Sequence, residues 1–148
     1  MELKFHKQET KWTCGPACMK IVLDSLGIKR SEKLLAKLMK TNKIWGTRQR
    51  SFPFIAERYK LNYTVKRNSR IDFLKKLLKQ EYRIIICYHY PGNKASHYAI
   101  VKKITKEKVT LMDPWHGANF KFDTDFFAEI WRSSEKYGNE IRWLIAIK

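Results

Sequence analysis

The hydrophobic period changes near the middle of this chain, and that change limits the folds open to it. Up to Lys79 the apolar residues recur at helical spacing: Met19, Ile21, Val22, Leu23 and Leu26, then Leu34, Leu35, Leu38 and Met39, then Ile71, Phe73, Leu74, Leu77 and Leu78. Beyond Lys79 the apolar runs are short, β-branched and bounded by turn residues: 83–89, 97–101, 109–113 and 141–147. Helices first and strands second bury their apolar faces by laying helices on an antiparallel sheet, an α+β fold. No repeat, linker or low-complexity segment interrupts the chain, so residues 1–148 are read as one domain, long enough to enclose a core.

In order, Leu3 and Phe5 are expected to form a short opening strand. Pro16 suits the first turn of a helix that runs to about Leu26, and Gly27 stops it. Ser31 caps a second helix, 32–40, with Leu34, Leu35, Leu38 and Met39 turned inward. A third short helix over 54–59, a strand over 61–65 and a helix over 71–79, opened by Asn68 or Ser69, follow. Pro91-Gly92-Asn93 is turn chemistry, 105–108 is a polar hairpin turn, and Phe120 and Phe122 start a further strand. Asp123 or Thr124 caps a last helix to about Trp131.

Charge and cysteine usage narrow the setting. The 31 Lys and Arg against 14 Asp and Glu give a net charge of +17, a field that attracts acidic partners. The cations are spread along outer helix faces, with no compact basic run or nucleic-acid motif, so specific nucleic-acid binding is not expected. No run of about eighteen apolar residues exists to span a membrane, and the N-terminus has no signal core. Three cysteines without framework spacing fit free thiols in a reducing compartment, and a cytoplasmic location is expected.

Candidate chemistry sits where the two periods meet. Cys14 lies at the mouth of the first helix, where unsatisfied N–H groups and the helix dipole stabilise an anion. A thiolate so placed, beside an imidazolium, is a nucleophile. His97 opens one strand and Asp113 closes its hairpin partner, a register in which the carboxylate can orient the imidazole. The Gln8 side-chain amide, with the Cys14 backbone N–H, would supply oxyanion donors. Read from residues alone, each piece has a plainer reading as a core thiol, a surface histidine, an Asp-Pro turn or a coil glutamine.

Together, Gln8, Cys14-Gly15-Pro16-Ala17-Cys18, His97-Tyr98-Ala99-Ile100-Val101 and Asp113-Pro114 with Gly117 resemble the double-glycine leader peptidases. These are papain-like cysteine peptidases that usually form the N-terminal domain of bacteriocin-exporting transporters. The resemblance covers nearly the whole chain, including Gly46-Thr47 and the closing helix. It implies a papain-like architecture, with Cys14 as nucleophile, His97 as base and acid, Asp113 as orienter of His97, and Gln8 as oxyanion donor. It further implies cleavage of a leader or precursor peptide after a Gly-Gly pair. With neither membrane spans nor an ATP-binding Gly-rich loop in the sequence, a free-standing peptidase domain is expected, with a separate transporter as a partner, and the net charge of +17 points independently to an acidic partner. Thr13 departs from the family, which commonly has an acidic residue there.

Other readings use the same residues. Cys14, Cys18 and some of His89, His97 and His116 offer zinc ligands, though Cys18 is expected in the core and neither metal nor cofactor is predicted. Cys18 is alternatively a resolving thiol, and His89 and His116 are alternative bases. His6 and Cys87 are read as structural. Trp12, Trp45 and Trp115 are read as core aromatics, with a cleft wall as the alternative. A deamidase, transglutaminase or amide hydrolase could use the same triad, and a non-catalytic peptide-binding or nucleic-acid-binding module would need none of it.

Overall fold

A computed structural model describes residues 2–90, 92–93, 95–134 and 140–148. Among the described residues, five helices and six strands follow one another as α1 (Cys14–Ser25), α2 (Glu32–Leu38), α3 (Ser51–Arg58), β1 (Tyr63–Lys66), α4 (Ile71–Lys79), β2 (Arg83–Tyr88), β3 (His97–Ile104), β4 (Lys108–Asp113), β5 (Gly117–Asp123), α5 (Thr124–Ile130) and β6 (Leu144–Ile147). The strands form one antiparallel sheet in the order β1-β6-β2-β3-β4-β5.

Alternation along the strands gives the sheet two apolar faces. Ile85, Cys87, Tyr98, Ile100, Met112 and Ile145 meet α1, α2 and α3 on one side. Ile84, Ile86, Ala99, Val101, Leu111 and Leu144 meet α4 and α5 on the other. The sheet is therefore buried on both sides, which explains why β2 and β6 read as continuous apolar runs. The largest enclosed side chains, Trp131 and Trp143, are linked across the β6 end of the sheet, where Trp131 Nε1 donates to Trp143 O at 2.9 Å.

Local signals hold well at α1 and α2. Gly27 takes φ +80° and closes α1, with the Ile28 N–H reaching Leu23 O and the Gly27 N–H reaching Asp24 O. That pair of bonds uses two carbonyls the helix end leaves over. Ser31 caps α2, its hydroxyl accepting from the Leu34 N–H at 3.1 Å.

Three expectations are corrected. Leu3 and Phe5 lie in an irregular segment rather than a strand, and neither pairs with the sheet, whose edges are β1 and β5. Leu34 is 40% exposed, since the inward face of α2 runs through Glu32, Leu35 and Met39, spaced three and four apart. The α5 N-terminus at Asp123 has no side-chain cap bond, and Asp123 instead pairs with Lys108 across the β4–β5 ladder. Of the 91–93 turn, Gly92 takes φ +93° and Pro91 lies outside the described residues.

Candidate active site

Three adjacent strands bring chemistry to one end of the sheet. The β2–β3 ladder places Tyr88 directly opposite His97. The β3–β4 ladder pairs Ile100 with Met112, which sets Asp113 diagonal to His97 on the same face. The His97 Nε2–H donates to Asp113 Oδ1 at 2.8 Å, as the strand ends predict. α1 then delivers Cys14 against the ring, and thiol and imidazole are hydrogen-bonded. Because Nε2 is engaged by Asp113, the nitrogen facing the sulfur is Nδ1.

The electrostatics follow from this chain of contacts. Burial raises the cost of a Cys14 thiolate, but the His97 charge and its hydrogen bond outweigh that cost and hold the thiol below its ordinary range. Burial would likewise lower His97, yet the facing thiolate, the Asp113 hydrogen bond and the Asp113 charge raise it to about 10. Burial pushes against the Asp113 carboxylate, and the His97 hydrogen bond, its charge and the Tyr88 hydroxyl bring it down to about 2. Three further donors hold that carboxylate: Tyr88 Oη–H at 2.5 Å on Oδ2, and the Trp115 and His116 backbone N–H groups at 2.9 and 3.0 Å on Oδ1. The arrangement favours a thiolate–imidazolium pair over the neutral pair.

Gln8 belongs to the same cavity as Cys14 and His97. Its backbone N–H donates to Pro114 O at 3.0 Å, tying the loop before α1 to the turn after Asp113. The side-chain Nε2 donates to Thr10 O at 2.7 Å, and a reversed amide would set two carbonyl oxygens against each other. One Nε2 hydrogen therefore points away from Thr10, and the buried Oε1 has no partner. Thr13, at the departure from the family pattern, bonds the Thr10 hydroxyl at 2.7 Å and stiffens this loop. The buried Glu32 carboxylate steadies it from below, accepting from the Glu9 N–H at 2.9 Å and from His6 Nε2–H at 2.9 Å.

Gly15 admits the opposite wall. A Cβ there would lie 2.5 Å from Thr47 Oγ1 and 2.7 Å from Thr47 Cβ. Thr47 is pinned in turn, its hydroxyl bonded to that of Thr41 at 2.7 Å and its carbonyl accepting from Tyr98 Oη–H at 2.8 Å. The loop 42–46, closed by Gly46 at φ +64°, stands over the cavity with Ile44 70% and Trp45 42% exposed. The cavity measures about 1470 Å³, and Trp12, Trp45, Trp115, Tyr90 and Phe120 line it. The three tryptophans are thus cleft walls and not core, a correction to their sequence reading.

The remaining candidates separate. Cys18 is fully buried, and burial drives its thiol well above the ordinary range, as burial drives Cys87 up to about 12. His89 is not among the cavity residues. His116 stacks on Phe120 at 4.4 Å, with Nδ1 3.3 Å from Asp113 Oδ1. Among the described residues, His97, Asp113 and His116 group closely enough for a metal, as do His6, Glu9 and Glu32; no group pairs Cys14 with Cys18. The Asp113 oxygens are already filled by the donors above. Sequence reasoning missed Tyr88 and Thr47, and a buried tyrosine opposite a candidate histidine, whose hydroxyl needs a partner, was the available signal.

Comparison with known proteins adds to this geometry. The model of the peptidase C39 family matches residues 2–134. The peptidase domain of Streptococcus ComA, a bi-functional ABC transporter involved in quorum sensing, is similar in structure with a TM-score of 0.74 at 19% identity, covering 99% of this chain and 98% of that one. A C39-like peptidase from Bacillus anthracis gives 0.78 at 13% identity, with 99% and 94% covered. A double glycine motif protease from an AMS/PCAT transporter, solved with its leader peptide, gives 0.70 at 14% identity, with 99% and 91% covered. No curated protein sequence matches the chain. The structural likenesses carry the fold, a papain-like α+β arrangement.

Proposed function

The chain belongs to the peptidase C39 family, and from that premise we propose that this cysteine peptidase cuts a leader or precursor peptide after a Gly-Gly pair, through Cys14, His97, Asp113 and Gln8. The observation that carries the reading is the continuous run from thiol to imidazole to carboxylate, with 2.8 Å between His97 Nε2 and Asp113 Oδ1. The descriptions of two structural neighbours, a transporter's peptidase domain and a protease bound to a leader peptide, support the substrate class. A transporter for the processed product is the partner this reading implies. Three free cysteines suit a reducing, cytoplasmic setting.

In this mechanism Cys14 Sγ attacks the scissile carbonyl carbon and a C–S bond forms. The negative oxygen is held by the Cys14 backbone N–H, which the first helical turn leaves without an intrahelical acceptor, and by the spare Gln8 Nε2–H. The His97 Nδ1 proton passes to the leaving nitrogen as the C–N bond breaks. Water then attacks the thioester and gives a proton to His97 Nδ1. The C–S bond breaks and the thiolate–imidazolium pair returns. Asp113 keeps the ring oriented and stabilises its positive charge throughout.

The test is mass spectrometry of synthetic Gly-Gly peptides incubated with the wild type and with Cys14→Ala. A backbone cut after Gly-Gly that disappears in Cys14→Ala is expected. Loss of side-chain ammonia with the backbone intact would instead place the same triad in a deamidase.

A further inference from the structure

Residues 2–8 reach the site without regular secondary structure, and they end on Gln8, one of its two oxyanion donors. Among the described residues, the backbone–backbone bond that holds this segment runs from the Gln8 N–H to Pro114 O at 3.0 Å. The side-chain bonds on either side of Gln8 converge on one residue of α2. Glu32 Oε2 accepts from the Glu9 N–H at 2.9 Å, and Oε1 accepts from the same N–H at 3.2 Å and from His6 Nε2–H at 2.9 Å. The two residues so held stand two before and one after Gln8. Glu32 is 2% exposed, and its neighbours on the same face of α2, Leu35 and Met39, lie in the core that α1 shares.

A buried carboxylate contributes little net stability, because desolvation offsets most of what its partners return. Its bonds to N–H groups are short and directional, so what it does well is fix position. Position matters here because α1 carries the Cys14 N–H while a loop carries the Gln8 amide. An oxyanion needs both donors at about 2.7–3.1 Å. Glu32 ties that loop to the α1–α2 pair that bears the nucleophile, and Pro114 O ties it to the turn after Asp113. The Thr10 carbonyl, at 2.7 Å, sets the rotation of the Gln8 amide, and Glu32 sets where the loop stands. We propose that Glu32 is a positioning residue of the oxyanion hole, fixing the separation of the Gln8 amide from the Cys14 N–H through Glu9 and His6. This rests on the oxyanion role given to Gln8 above.

The experiment is a double-mutant cycle of Glu32→Gln and Gln8→Ala, read as kcat and KM on a synthetic peptide containing Gly-Gly-Ala. Glu32→Gln keeps the shape of the side chain but removes its charge and turns one acceptor oxygen into a donor. It should lower kcat about tenfold or more, short of the about 10²–10³-fold that losing an oxyanion donor gives. KM and the rate of Cys14 alkylation should not change. In the Gln8→Ala background the same substitution should alter kcat by less than about twofold, since residues that act through one another are not additive. Amide exchange at residues 6–9 should quicken in Glu32→Gln while α1 stays protected. An equal kcat loss with and without Gln8 would overturn the proposal, because it would make Glu32 a general support of the fold. An unchanged kcat in Glu32→Gln would overturn it even where Gln8→Ala is slow. A Gln8→Ala enzyme as fast as the wild type would remove the oxyanion role of Gln8, and the inference with it. If the wild type leaves the peptide uncut, the Gly-Gly reading fails and exchange decides: faster exchange at 6–9 supports the tie, and unchanged exchange overturns it. Should Glu32→Gln not fold, His6→Ala carries the test. It removes one donor and leaves the Glu9 bonds, so kcat should fall about threefold, the scale of a partly exposed ion pair, and no fall would overturn the proposal.

Discussion

Tyr88 Oη donates to Asp113 Oδ2 over 2.5 Å, and both residues are buried, at 2% and 0% exposure. The bond ties β2 to β4 across β3, so His97 is oriented by a carboxylate that is itself fixed from two strands. It also supplies a donor to the charged form of Asp113. Removing it should therefore raise the Asp113 pKa. Tyr88→Phe is expected to lower kcat/KM by about ten- to a hundredfold, since a hydrogen bond to a charged group is worth about 1.5–3 kcal/mol. The acid limb of the pH–rate profile should move to higher pH. A Tyr88→Phe profile that overlays the wild type would remove Tyr88 from the mechanism.

Cys14 is held below the ordinary thiol range and His97 is raised to about 10, so the ion pair spans neutral pH. Iodoacetamide near pH 6 should label Cys14 alone and quickly, while buried Cys18 and Cys87 stay unmodified. In His97→Ala the burial of the thiol loses its main opponents, the imidazolium charge and hydrogen bond, so its pKa should rise and labelling should slow sharply. Intact-protein mass spectrometry reads this directly, and equal labelling of all three thiols would rule out an activated pair.

Asp113 falls from 3.8 to about 2 in the folded protein, so its contribution to stability is present above 3.8 and is lost as pH drops toward 2. Asp113→Asn should flatten that part of the acid-unfolding curve. The same variant should reduce turnover by about 10²–10⁴-fold, the range of general acid–base catalysis, with Cys14 still open to alkylation. An unchanged rate would exclude the carboxylate.

Gln8→Ala should cost about 2.7–4 kcal/mol of transition-state stabilisation if its amide completes the oxyanion hole. That loss should fall on kcat. A change confined to KM would assign Gln8 to substrate binding.

Gly15→Ala should destabilise the protein by about 1–3 kcal/mol, the usual range for overpacking, although alanine is the better helix former. The reason is the 2.5 Å approach to Thr47 Oγ1. The three nearest atoms met there all belong to the Thr47 side chain. Thr47→Gly in the same molecule should therefore recover part of the loss in thermal unfolding, and no recovery would refute the close-approach explanation.

Much of this protein can be read from local sequence. The start of α1 at Cys14, its stop at Gly27, the Ser31 cap and the switch to β-branched runs after Lys79 all depend on neighbouring residues, so propensity and period reveal them. Cys14 at a helix mouth and His97 and Asp113 at opposite ends of a hairpin were visible for the same reason. Burial was harder to read. Leu34 and Glu32 exchanged the places that hydrophobicity assigns them, because Glu32 satisfies Glu9 and His6 and lies on the side of α2 that meets α1.

Only the tertiary structure decided what each surface meets. The last strand, β6, enters between β1 and β2, and no local signal encodes that long-range pairing. Tyr88 reaches Asp113 because the ladders set the register across the 89–96 connection, and a one-residue slip would turn it to the other face. Trp12, Trp45 and Trp115 look like core residues in sequence, yet they come from three separate loops that converge on one cleft. Apolarity along a chain says that a side chain seeks cover. Folding decides whether that cover is the protein's own interior or a peptide that has yet to bind.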